Sequence, residues 1–194
     1  MLAEGDQVYA GQNHKPKVTI SVAAFVPKAH TPFQWVAQDR PDLINEKQKL
    51  IKQKIRSRRI TFNYHDGQLG TLEGLFARGD RKVGQVLLKA FAAGCRLDSW
   101  RQFFDYQVWL KAVTDSGLSL DDYNYRERAA EETFPWDHIQ TGVRKSFLYD
   151  EYLKAQQGIL TGDCRFTACS VCGICQDLPV KIDYKGAAQV ESTS

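Results

Sequence analysis

The chain has 194 residues, 43 % hydrophobic and 25 % charged, with a formal net charge of +3. That suits one globular domain, or one with an appendage, and the charge is too small to argue for nucleic acid by itself. No run approaches the roughly 18 apolar residues of a membrane span, and the N-terminus shows no basic and apolar leader, so a cytoplasmic location with reduced thiols is expected.

In chain order, Lys17–Val26 is β-branched and apolar and reads as a strand buried on both faces of a parallel sheet. Residues 27–33 carry two prolines and read as a loop. From Pro41 to Ser57 the apolar Leu43, Ile44, Leu50, Ile51 and Ile55 share a helical face opposite lysines. Ile60–His65 alternates like a second strand, closed by Asp66-Gly67.

Helices follow. A short one spans Thr71–Arg78, and Asp80 is placed to cap the next, whose face is Val83, Val86, Leu87, Ala90 and Phe91, with Gly94 at its end. Asp98 or Ser99 is expected to open an aromatic-rich helix that stops at Gly117. Ser146–Gln157 reads as an amphipathic helix stopped by Gly158. The tail after Pro179 has no periodicity and is expected to be mobile. The resulting organisation is 1–40, a mainly helical 41–160, a cysteine segment 161–178 and the tail 179–194.

Two charge blocks stand apart. Arg40–Arg59 holds eight Lys or Arg against two acids, and Asp115–Asp137 seven acids against two Arg. They read as two solvated faces, with steering of an anionic partner as the alternative.

Four of the five cysteines lie within twelve residues: Cys164, Cys169, Cys172 and Cys175, spaced C-x4-C-x2-C-x2-C. A reducing compartment and two-residue loops disfavour disulfides, leaving a metal. Such a run suits an iron–sulfur cluster, and zinc equally accepts four thiolates, so both stay open. Cys95 reads as a buried small hydrophobe.

Other polar residues have plainer readings. Lys28 and His30 sit just past the first strand, where α/β proteins gather ligand contacts, although a loop histidine satisfied by hydrogen bonds is the commoner case. Asp66 belongs to a turn, Arg78-Gly-Asp-Arg81 to a capped, salt-bridged turn, and Asp137 and His138 are adjacent without needing to meet. No Ser/His/Asp set, Walker loop or Rossmann fingerprint is present.

Taken together, Ser21-Val-Ala-Ala-Phe-Val-Pro-Lys-Ala-His-Thr-Pro-Phe-Gln-Trp35, Leu72–Arg81, Gly94–Trp100, Pro135–Gly142 and the cysteine run resemble the C-terminal part of a radical SAM family. That family joins a cobalamin-binding-like domain to a radical SAM core and is associated with a DUF2344-type protein. The resemblance covers roughly residues 17–176. It implies an α-rich α/β fold: the last strand of a partial (β/α)6 barrel, then a helical C-terminal extension and the cysteine segment. Cys164, Cys169, Cys172 and Cys175 would hold an auxiliary cluster, with 4Fe–4S favoured over zinc, and Lys28 and His30 would face the mouth of the site. The family's Cys-x3-Cys-x2-Cys triad is absent, so S-adenosylmethionine would be used only with a missing N-terminal portion, encoded in the same polypeptide or a split gene. By this resemblance the chain is part of an enzyme without being complete in itself. An RNA or translation-related substrate is the expectation, and the use of cobalamin is left open. The competing reading is a non-enzymatic zinc module that binds a partner protein or RNA.

Overall fold

The structure is a computed structural model that describes residues 2–10, 15–178 and 180. The tail expected to be mobile lies, apart from Val180, outside the described residues. Two compact units are present, both discontinuous in sequence: 1–27 with 36–127, and 28–35 with 128–194. No helix among the described residues is long and apolar enough to cross a membrane.

The first unit opens with α1 (Leu2–Val8), then β1 (Val18–Val22), α2 (Pro41–Lys54) and β2 (Ile60–Tyr64). β1 and β2 pair in parallel, from Val18 opposite Ile60 to Val22 opposite Tyr64, with α2 in the crossover between them. Pro41 occupies the first helical turn of α2, where its missing N–H costs nothing.

This arrangement overturns the expected end of a partial (β/α)6 barrel. The sheet has two strands among the described residues, and the rest of the ordered chain is dominated by helices. Nor is β1 buried on both faces: its residues alternate between half-buried and exposed. The cause is local, since Val18-Thr-Ile-Ser-Val22 alternates apolar with small polar residues, which is the period of a one-sided strand. Residues 23–26, read as the rest of the strand, are irregular.

Three helices build the core of this unit: α3 (Gly67–Arg78), α4 (Val83–Ala92) and α5 (Tyr106–Asp115). Leu72, Leu75, Val83, Val86, Ala90, Trp109, Ala112 and Val113 form one buried cluster. Asp66 caps α3 by accepting from the Gln68 N–H at 2.8 Å, and Asp105 caps α5 through the Gln107 N–H at 2.9 Å. The aromatic helix therefore starts at Tyr106, not at Asp98 or Ser99. Residues 98–103 turn instead, just after Leu97 takes a left-handed φ of 55°.

A buried polar lattice ties the loops to α3. Gln38 donates to the Gly70 carbonyl at 2.7 Å, and the Asn124 amide donates to Gln38 Oε1 at 3.1 Å and the Thr71 carbonyl at 2.8 Å. Asn124 sits in a single π-turn, Asp121–Tyr125. Gly74 is required there, because a Cβ would stand 2.6 Å from Asn124 Nδ2. Arg78 is fully buried and donates to the carbonyls of Val36 at 2.7 Å and Tyr123 at 2.8 Å.

The second unit contains a 3-10 turn (Pro32–Trp35), α6 (Lys145–Gln156) and the short α7 (Ile174–Asp177). Its core is aromatic: Trp35, Phe134 and Trp136 pack with Leu148, against the half-buried Tyr149 and Tyr152. Trp35 meets the Tyr149 ring edge-on at 5.0 Å, and the Phe134 ring at 5.8 Å. Gly158, at φ 68°, ends α6 where expected.

Candidate metal centre

The four clustered cysteines all lie in the second unit, on the segment that follows α6. The Asp163 carbonyl accepts the N–H groups of Phe166 and Thr167, each at 2.9 Å, so Cys164 rides on a closed turn. Arg165 pairs with the Asp163 carboxylate and, with its own backbone N–H, holds that carboxyl at about 2.

Cys169 begins a second turn. Its Sγ accepts the backbone N–H of Val171 at 3.4 Å. An amide aimed at a sulfur stabilises a thiolate, and hydrogen bonds of this kind orient a metal ligand. Val171 takes φ 59° and Gly173 φ 111°, so the chain doubles back between Cys172 and Cys175. For β-branched Val171 this conformation is strained.

Gly173 cannot carry a side chain, since a Cβ would lie 2.8 Å from both Arg144 Cγ and the Gly142 carbonyl oxygen. The turn is thus clamped to the loop before α6. The Arg144 N–H donates to the Cys172 carbonyl at 2.9 Å, and its guanidinium grips Asp177 through Nε–Oδ2 at 2.8 Å and Nη2–Oδ1 at 2.6 Å.

All five cysteines are free thiols. Cys169 and Cys175 are exposed, while Cys164 and Cys172 are half-buried. The Cys175 thiol is pushed up, by partial desolvation first and then by the Cys169, Cys172 and Cys164 thiols. Among the described residues no three Cys, His, Asp or Glu side chains already stand as a ligand group for a metal. Thiolates are the donor type that zinc and iron–sulfur clusters take, and binding of either here would have to draw the ligand shell together and release the thiol protons.

The remaining candidates are scattered. Lys28 and His30 stand in the second unit, but only His30 lines its cavity. His65 is bonded through its backbone to Val22 and Gln48. Asp80 accepts the Lys82 N–H at 2.9 Å and the Tyr123 hydroxyl at 3.1 Å, closing the turn before α4, whose own N-cap position is Lys82 and has no side-chain cap. Asp137 accepts the Phe134 N–H at 2.8 Å and Lys145 Nζ at 2.5 Å. Cys95 is half-buried against the first core, and burial, with Asp98 and Asp105 adding to it, pushes its thiol up.

Sequence reasoning missed Gln34. Its Oε1 accepts Trp136 Nε1 at 2.8 Å and the His30 N–H at 3.2 Å, so it fixes the histidine's loop to the aromatic core. A glutamine between Phe33 and Trp35 in an apolar turn was the available signal.

No family model matches the chain, and no curated protein or solved structure matches it either.

Proposed function

We propose that the chain is a metal-thiolate protein in which Cys164, Cys169, Cys172 and Cys175 hold an iron–sulfur cluster, serving as the auxiliary-cluster portion of a radical SAM system. The observation that carries this reading is the run of four cysteines, Cys164, Cys169, Cys172 and Cys175, on a segment whose turn is clamped by Arg144. The ordered motifs from Ser21 to Cys175 support the family assignment.

Thiolates suit a cluster whose chemistry, once bound, is one-electron transfer. The chain's own residues do the holding. Val171 offers an N–H to the Cys169 sulfur, Gly173 permits the tight return, and the Arg144–Asp177 pair fixes the segment on both sides of Cys175. Cleavage of S-adenosylmethionine belongs to a second portion bearing the Cys-x3-Cys-x2-Cys motif, which this sequence does not contain.

Anaerobic purification with iron, acid-labile sulfide and zinc analysis tests the proposal. Iron and sulfide in the wild-type chain, lost when Cys169, Cys172 and Cys175 are changed together to Ala, support it. About one zinc per chain with no sulfide selects a structural zinc module, and no metal in either form removes the metal reading.

A further inference from the structure

The basic block from Arg40 to Arg59 divides in two in the fold. Arg40, Lys47 and Arg59 are each paired with a carboxylate, those of Asp121, Asp39 and Asp6. Lys52, Lys54, Arg56 and Arg58 are exposed and have no acidic partner among the described residues. The sequence between Glu46 and Asp66 contains no acid.

Parallel pairing brings a fifth cation to the same place. Because β1 and β2 run in the same direction, the residues before each strand meet at one end of the sheet. The Val18 N–H donates to the Arg59 carbonyl at 2.9 Å, so the exposed Lys17 stands beside the approach to β2. The turn from α2 into β2 is closed on itself: the Ile55 N–H donates to the Lys52 carbonyl at 3.2 Å, and the Ile60 N–H to the Ser57 carbonyl at 3.1 Å. Asp6 of α1 reaches this end through Arg59, whose guanidinium holds it at 2.5 and 2.8 Å. Neutralised in this way, it leaves five like charges to build a positive potential.

The exposed face of the sheet continues from Lys17. Side chains alternate along a strand, so Lys17, Thr19 and Ser21 share one face of β1, and all three are exposed. Thr61 and Asn63, opposite Thr19 and Ser21 in the register, are exposed on β2. Each of these hydroxyls and the amide can both donate and accept a hydrogen bond.

We propose that this end of the sheet binds single-stranded RNA. Lys17, Lys52, Lys54, Arg56 and Arg58 take the phosphates, while Thr19, Ser21, Thr61 and Asn63 meet sugar 2′-hydroxyls and base edges. An anionic lipid surface would use the cations and leave the polar face idle. Two strands about 4.8 Å apart make a face that fits one extended chain rather than a duplex. The inference does not rest on the cysteine segment, which belongs to the other unit.

Fluorescence anisotropy of the full chain with labelled oligouridylate tests it, with the matching deoxy strand and phosphatidylserine vesicles as comparisons. Saturable binding to the RNA is expected, weaker for the deoxy strand and for the vesicles. Five phosphate contacts on a single strand predict roughly a hundredfold loss of affinity between about 50 and 200 mM salt. Changing Lys52, Lys54, Arg56 and Arg58 together to Gln should weaken binding at least tenfold and flatten the salt dependence, with the melting temperature kept. Lys47→Gln, which removes a cation already paired with Asp39, should leave binding nearly unchanged. Thr19→Val with Thr61→Val should narrow the preference for RNA over the deoxy strand. No saturable binding at low salt, binding that survives the fourfold change, equal affinity for the deoxy strand, or tighter binding to the vesicles overturns the proposal.

Discussion

The two units are stabilised by different means. In the first, α3, α4 and α5 bury eight apolar side chains in one cluster, and Gln38, Thr71 and Asn124 close a polar lattice beneath it. In the second, four buried residues, three of them aromatic, form the core, and the cysteine segment beyond α6 is largely exposed. The first unit has the burial a fold needs from its own side chains. The second carries four thiols on a segment with little apolar contact, the usual circumstance in which a metal supplies what a core does not.

Metal removal should break this comparison most sharply. Structural metals contribute on the order of 10 kcal/mol to small thiolate modules. If the proposed metal is held there, chelation should abolish amide-exchange protection at Arg144, whose N–H binds the Cys172 carbonyl, and in α7, while leaving α3–α5 protected. Equal loss in both units would show that the metal does not serve the second one selectively.

Core truncations come next. Trp35→Ala should cost about 3–5 kcal/mol and Leu75→Ala about 2–5 kcal/mol. In exchange-detected denaturant titrations, Trp35→Ala should lower the second unit and Leu75→Ala the first. Only the former should reduce bound metal.

Gly173→Ala should be smaller, on the order of 1–3 kcal/mol for forcing a side chain into a left-handed backbone. Because its Cβ would strike Arg144 and the Gly142 carbonyl, metal affinity should fall while the first unit's midpoint stays fixed. Unchanged metal affinity in this variant would separate the turn from the centre.

The smallest effect concerns Glu151 on α6. The Lys154 ammonium and then the Thr161 hydroxyl hold its carboxyl below the usual range. A depressed folded-state value contributes stability that is present above the ordinary glutamate pKa and lost as pH falls through the depressed one. Thr161→Val should raise the Glu151 value in a carboxyl NMR titration and shift the onset of acid unfolding slightly upward. An unaltered titration would mean that the lysine acts alone.

Local signals in the sequence were dependable where one residue dictates the backbone. Gly94, Gly117 and Gly158 all take positive φ and end their helices, whereas Asp80 bonds the Lys82 N–H in the turn before α4 and does not cap that helix. Legibility failed where partners are distant. Gln34 owes its role to Trp136, and Asn124 to Gln38, and neither pairing leaves a periodic trace. The reading of a strand buried on both faces failed because the apolar residues of 17–26 outweighed the alternation within Val18–Val22, and the barrel, implied by the resemblance alone, is replaced by a two-stranded sheet among the described residues. The aromatic run at 100–104 suggested a helix that Leu97 and the Asp105 cap divide.

The discontinuity of the second unit has a consequence for dissection. Trp35, at the centre of its aromatic core, is separated from Phe134 and Trp136 by the whole of the first unit after Trp35. During synthesis the 28–35 turn emerges long before the residues it packs against. Expression of 128–194 alone would leave Phe134 and Trp136 without Trp35, and the cavity without His30. Excising the cysteine segment with its whole unit at a single cut is thus ruled out; a permuted chain, or co-expression of 28–35 as a separate peptide, is needed to obtain the second unit by itself.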